Sequence, residues 1–297
     1  MPISLAKSNF IRLTEIYKKP EFDGKLVQCK TTDGLELQGL FRKNPEDKTA
    51  VMFVHGTASA YALEDFEPAL DQWCIDNDYA YLSTNNRGAH VLDDWQISGS
   101  AVEKFSDANK DFLAWLKFLK AAGIESVILC GHSLGTEKIV HFMKTENHKM
   151  VQSMILLSPA DTVGCQDRYE KKIGKNYFKV AKNLVDKNQK YNLLPDEKAH
   201  AGVLPISAEA YLDFFSPDSE LREALPFRKE NKDCIEKFTI PTIAIVPDND
   251  MWNITSAEDY AEKLREAGAK VKIVHCDHDL YMNISPIITK LMSEALK

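Results

Sequence analysis

Little in this sequence points to a membrane, a nucleic acid or an oxidising compartment. No apolar run approaches the roughly 20 residues a helix needs to cross a bilayer. Positive charge is not in excess: 37 Lys and Arg stand against 44 Asp and Glu, a net charge of −7. That balance argues against a general affinity for nucleic acid or an anionic membrane surface. The six cysteines (Cys29, Cys74, Cys130, Cys165, Cys234 and Cys276) are scattered without a Cys-x-x-Cys, so their spacing suggests neither a disulfide framework nor a zinc site. Met1 to Pro20 has no long apolar core and no small-residue cleavage site, so it does not read as a signal peptide, and cytoplasmic residence is expected. Internal repeats and low-complexity segments are also missing. What is present is 44% hydrophobic and 27% charged over 297 residues. This is a globular composition with material for a sizeable core, in one large domain or two small ones.

Strands and helices alternate along most of the chain. Leu26–Cys29 and Leu35–Leu40 flank Asp33-Gly34, a strong hairpin turn signal. Ala50–Val54 is continuously apolar, as expected of a strand buried on both faces. A helix over about Leu63–Asn77, a strand at Tyr79–Ser83 and a helix over about Val102–Ala122 follow; the last carries the apolar stripe Phe105, Phe112, Leu113, Trp115, Leu116, Leu119. Strands are expected again at Glu125–Cys130, Met154–Leu157, Thr242–Val246 and Val271–Val274, with helices at Ala257–Ala267 and Ser285–Leu296. Such alternation implies a mostly parallel, doubly wound sheet. It breaks near Pro159 and resumes near Thr239, and the residues between read as short helices and loops. The expected division is an N-terminal segment (1–24), a core (25–160 and 240–297) and an inserted cap (161–239). In the N-terminal segment Phe10, Leu13 and Tyr17 could share one helical face.

Gly131-His132-Ser133-Leu134-Gly135 stands where a strand turns into a helix, which carries Ile139, Val140, Phe142 and Met143 at helical spacing. In that context a Gly-x-Ser-x-Gly exposes a serine hydroxyl on a turn too tight for side chains on either side. The following helix aims free N–H groups and its positive end at developing negative charge. A serine needs a base, and the base needs an orienting acid. His278 and Asp250 lie in loops after two later strands, and loops at the carboxyl ends of parallel strands converge. The order is Ser133, Asp250, His278. Asp248, and less strongly Asp161, rival Asp250; His275 rivals His278 but lies closer to its strand. Two histidines three apart also permit a metal reading, which no third matching histidine supports. Oxyanion donors are expected at the N–H of Leu134 and, beyond the Ala50–Val54 strand, of Thr57. His55 reads as structural.

His55-Gly56, Asn86-Arg87-Gly88, the serine motif, Asp250 and His278 together resemble an α/β-hydrolase-fold serine hydrolase over about residues 25–297. The resemblance implies an α/β fold: a mostly parallel eight-stranded sheet flanked by helices, with a mainly helical cap inserted before the acid-bearing strand. It implies that Arg87-Gly88 is a structural turn. Thr136, where Gly or Ala is common, and Pro247, where Gly is common, depart from the pattern. Serine at the nucleophile position favours acyl transfer over dehalogenation or epoxide opening. Hydrolysis of a carboxylic ester of a small molecule, with no cofactor, is therefore expected. The alternatives are a thioesterase or acyltransferase of secondary-metabolite biosynthesis and a non-catalytic ligand receptor. Arg168 to Lys190 holds eight basic residues against Glu170 and Asp186. That stretch reads first as a solvated face, and second as a rim for an anionic donor such as coenzyme A or an acyl carrier protein.

Overall fold

The computed structural model describes residues 24–93, 95–229 and 235–295; the apolar stripe expected at Phe10, Leu13 and Tyr17 lies outside them. Eight strands form one sheet: β1 (Lys25–Lys30), β2 (Glu36–Arg42), β3 (Thr49–Val54), β4 (Tyr79–Thr84), β5 (Ser126–His132), β6 (Val151–Leu157), β7 (Thr242–Pro247) and β8 (Lys270–Val274). Their order is β1-β2-β4-β3-β5-β6-β7-β8. The β1–β2 and β2–β4 pairs are antiparallel, and all other pairs are parallel.

Alternating side chains divide the core in two. Met52, Val54, Leu129, Leu156 and Val246 pack beneath α2 (Ala108–Ala121), α3 (Leu134–Thr145) and α7 (Ala257–Glu266). Val51, Phe53, Cys130, Ile155 and Ile245 pack beneath α1 (Glu67–Asp76) and α8 (Ser285–Ala295). The central strands read as continuous apolar runs because helices cover both faces. Between β6 and β7 the chain forms α4 (Thr162–Ile173), α5 (Phe178–Asp186), α6 (Ala208–Phe215) and two short 3-10 turns. A third apolar cluster, including Val163, Tyr177, Ile206, Tyr211, Phe214 and Phe215, joins these helices to Phe105 and Leu134 of the body.

Two helices start later than the periodicity predicts. The stretch before Glu67 is held as a loop, where Ser59 Oγ donates to Glu64 Oε1 at 2.6 Å and Pro68 favours the first turn of α1. Val102 closes a turn from Gly99, Lys104 is extended, and Phe105–Asp107, whose Phe105 N–H donates to Asp213 of α6 at 2.6 Å, is a single 3-10 turn, so the α-helix begins at Ala108.

Chain order reverses direction across the sheet at β3, which lies between β4 and β5. Such a switch point opens a crevice at the strands' carboxyl ends. Val54 pairs with Gly131, so the loops leaving β3 and β5 meet there.

Candidate active site

Ser133 stands between β5 and α3 with φ 52° and ψ −126°, a left-handed conformation that costs a non-glycine residue energy and persists only where its surroundings enforce it. The enforcement is visible. The Ser133 N–H donates to Leu157 O at 3.1 Å, and Ser133 O accepts from both the N–H and the hydroxyl of Thr136, at 2.9 and 2.6 Å. The Thr136 hydroxyl thus adds a second bond to a turn that its N–H already holds. The glycines are needed for close approach. A Cβ on Gly131 would fall 2.5 Å from Gly135 O, one on Gly135 2.2 Å from Val54 O, and one on Gly56 2.8 Å from Ser133 Cβ.

Asp250 and His278 come together: Nδ1–H of His278 donates to Asp250 Oδ2 at 2.6 Å. The Asp250 side chain is 1% exposed and that of His278 14%. The other Asp250 oxygen, Oδ1, accepts the Trp252 N–H at 2.7 Å, which fixes the carboxylate's orientation. The rivals form a pair of their own: His275 Nδ1 lies 3.1 Å from Asp248 Oδ1, with the His275 side chain 91% exposed. Asp161 caps α4 by accepting from the Gly164 N–H at 2.8 Å. Among the described residues no group of three or more His, Cys, Asp or Glu side chains is placed to hold a metal ion.

Ser133, His278, Gly56 and Thr57 line one cavity of about 520 Å³ between the strand ends and the cap. Leu63, Ala160, Val203, Leu204 and Trp252 make much of its wall apolar. Leu134 opens α3, so its N–H belongs to the first turn, where helix donors lack intrahelical partners. His55, fully buried, uses both ring nitrogens: Nδ1–H donates to Gly56 O at 2.7 Å, and Nε2 accepts the Asn86 N–H at 3.3 Å. Burial first, and then the Lys138 charge, push its pKa down to about 3, so it is a neutral strut that orients Gly56 beside Thr57.

A family model described as a protein of unknown function (DUF1749) matches residues 100–222. No curated protein matches the sequence. Among solved structures, the α/β hydrolase GrgF from Penicillium sp. sh18 has a TM-score of 0.66 at 14% identity, covering 92% of this chain and 97% of its own. Est1E from Butyrivibrio proteoclasticus with bound ferulic acid has a TM-score of 0.62 at 16% identity, covering 91% and 99%. The Pyrococcus furiosus esterase Pf2001 has a TM-score of 0.60 at 15% identity, covering 93% and 92%. This chain has the α/β-hydrolase fold.

On this α/β-hydrolase frame sit groups that the motif reading did not anticipate. The carbonyl of His278 accepts from His132 Nε2 at 2.9 Å and from the Ser158 hydroxyl at 2.7 Å, so its loop is held from two strand ends. His132 Nδ1 faces Glu64 Oε1 at 3.7 Å, an ion pair when the ring is protonated. Burial disfavours the His132 cation, but Glu64 and the His278 carbonyl outweigh it and raise the pKa. Behind Ser133, fully buried Lys138 donates to Glu103 Oε2 at 2.6 Å and to Asn86 Oδ1 at 3.0 Å. This ties α3 to the Asn86-Arg87-Gly88 turn, and Arg87 itself is anchored to Asp111 through Nη2 at 2.8 Å. No helix among the described residues is long and apolar enough to cross a membrane.

Proposed function

We propose that this α/β-hydrolase-fold protein is a serine esterase that cleaves a carboxylic ester of a small molecule through an acyl-enzyme on Ser133. The observation that carries the reading is the 2.6 Å hydrogen bond from His278 to a buried Asp250, in a cavity shared with a serine held at positive φ. In the first half-reaction Ser133 Oγ attacks the carbonyl carbon while His278 Nε2 takes the hydroxyl proton. The N–H groups of Leu134 and Thr57 hold the oxyanion, each donor contributing about 3 kcal/mol in the transition state. Collapse breaks the bond to the alcohol oxygen, which receives the proton from His278. Water then attacks the acyl-enzyme, again through His278, and releases the acid and a restored Ser133. Asp250 keeps the proton of neutral His278 on Nδ1 and stabilises the imidazolium in both halves.

The esterases among the structural neighbours, and the apolar cavity wall beside Ser133, support this reading. Its test is intact-mass analysis after exposure to a fluorophosphonate, with hydrolysis of short and medium p-nitrophenyl esters. One adduct on the wild type, none on Ser133→Ala and a rate reduced by several orders of magnitude are expected. An unlabelled wild type would overturn the reading.

One observation favours a second reading, transfer from an anionic thioester donor such as coenzyme A or an acyl carrier protein. Lys171, Lys172, Lys179, Lys182 and Lys187 are all exposed along α4, α5 and their ends. That reading requires thioesters to outpace oxygen esters and kcat/KM to fall steeply with salt; equal rates at low and high salt would rule it out.

A further inference from the structure

The cap contributes one more polar group to the catalytic cavity, and its position is heavily constrained. Leu194 N–H bonds to Ile206 O at 2.9 Å, and inside that frame His200 and Leu204 exchange backbone hydrogen bonds at 2.9 and 3.3 Å. The tight loop between them has Ala201 at φ 50° and Gly202 at φ 84°. Gln166 of α4, itself buried, grips this loop on both sides of His200: its Oε1 accepts the Ala201 N–H at 2.6 Å, and its Nε2 donates to Ala199 O at 3.0 Å. Gly202 lies against the Tyr169 ring, where a Cβ would come within 2.8 Å of Cδ2.

So held, His200 is 2% exposed and lines the same cavity as Ser133 and His278. Its ring packs edge-on against Phe214 and Phe215, with centroids 5.8 and 5.4 Å away, and neither ring supplies a hydrogen-bonding atom. Its Nδ1 is buried without a partner among the described residues. Burial first, and then the Lys138 charge, lower its pKa to about 4, so the ring is neutral near pH 7, with one donor and one acceptor nitrogen. It lacks the carboxylate partner that His278 has. A phenylalanine would fill this aromatic niche without desolvating a polar ring.

We propose that His200 is the specificity-determining residue of the cavity and hydrogen-bonds a hydroxyl or carbonyl oxygen that the substrate carries away from its scissile ester. The inference rests on the acyl-transfer reading of Ser133. It makes the preferred substrate an oxygenated ester rather than a plain alkyl or aryl one. A site built around such a bond discriminates strongly against the analogue lacking it.

The test compares kcat/KM for ester pairs differing by one hydroxyl: 4-nitrophenyl 3-phenylpropanoate with its 3-(4-hydroxyphenyl) counterpart, and 2-phenylethyl acetate with its 4-hydroxyphenyl counterpart. The wild type should favour the hydroxylated member of at least one pair by about tenfold or more. His200→Phe should bring that ratio close to one. His200→Asn, which mimics Nδ1, or His200→Gln, which mimics Nε2, should restore part of it and serve if the Phe variant does not fold. A ratio that survives in His200→Phe, or no discrimination by the wild type on either pair, overturns the proposal. Fluorophosphonate labelling of Ser133 in the same preparations separates the two readings. Labelled protein with an unchanged ratio refutes the role of His200 alone, and unlabelled wild type refutes acyl transfer and this inference with it.

Discussion

Replacing Asp250 with Asn changes one atom and should remove most of the activity, for a reason that lies in the hydrogen bonds of the carboxylate. Oδ1 accepts the Trp252 N–H at 2.7 Å, and Oδ2 accepts His278 Nδ1–H at 2.6 Å. An asparagine must keep its carbonyl oxygen toward Trp252, because two donors cannot face each other. Its NH2 then faces His278, where it can only donate. Nδ1 must become the acceptor, and the ring proton moves to Nε2, the atom that has to receive the serine proton. The fold is undisturbed but the tautomer is wrong. Loss of tautomer control of this kind costs about 10⁴ in kcat, or about 5.5 kcal/mol of transition-state stabilisation. The assay is p-nitrophenyl ester hydrolysis, with thermal melting to show that the variant folds like the wild type. Asp248→Asn is the matched control, since that carboxylate faces an exposed His275, and it should leave kcat within about twofold. An Asp250→Asn enzyme within tenfold of wild type would refute the argument, as would an equal loss in Asp248→Asn.

Three further perturbations test the scaffold. Lys138→Met leaves Glu103 buried without its cation, and breaking one side of a buried pair should cost about 3–5 kcal/mol in urea unfolding; a change below 1 kcal/mol would mean the pair is solvated in solution. Gly135→Ala forces a Cβ against the backbone oxygens of Val54 and His55 at 2.2 and 2.9 Å, so a loss of about 2 kcal/mol or more is expected, together with slower fluorophosphonate labelling as the serine turn shifts. Histidines 55 and 200 are held neutral, with folded-state pKa values of about 3 and about 4 against the ordinary 6.5. Below pH 6.5 the unfolded chain binds protons that the folded chain refuses, so their stabilisation is complete above that pH and is lost as pH falls toward 4 and then 3. Between pH 6 and 4.5 each contributes a slope of up to about 1.4 kcal/mol per pH unit. His200→Phe should flatten the unfolding free energy against pH by one such increment, and an unchanged slope would show that His200 is already charged in the fold.

The serine turn and the sheet were legible because their signals are local. Ala50–Val54 reads as a doubly covered strand whatever packs on it, and Gly131 to Gly135 places its glycines where backbones cross. Asp250 and Asp248 were harder to separate. They lie two residues apart, and the Trp252 N–H holds the Asp250 carboxylate inward while that of Asp248 stays beside His275. Of the supports of the site, His55 and the Arg87-Gly88 turn were legible, and the buried cation behind the serine was not. Lys138 interrupts an apolar helical stripe with no sign that Glu103, 35 positions earlier, would meet it. His200 acquires its character from Gln166, Phe214 and Phe215, which only the folded cap gathers around it. The helix starts at Glu67 and Ala108 follow a loop bond and a long-range bond to Asp213 that periodicity does not register.

The loop that presents Asp250 turns three successive carbonyls toward α4. Arg168 donates to Met251 O and Asn253 O at 3.0 and 2.9 Å, and the Cys165 thiol to Trp252 O at 3.2 Å. The first helix of the insertion is therefore a buttress for the acid loop. A chimera that exchanged the whole insertion for that of another protein of this fold would import a new cavity wall and remove the support of the Asp250 loop. The workable graft junction falls after Ile173, at the left-handed Gly174 that ends α4. A graft made there keeps Arg168 and Cys165 with the acid loop they hold.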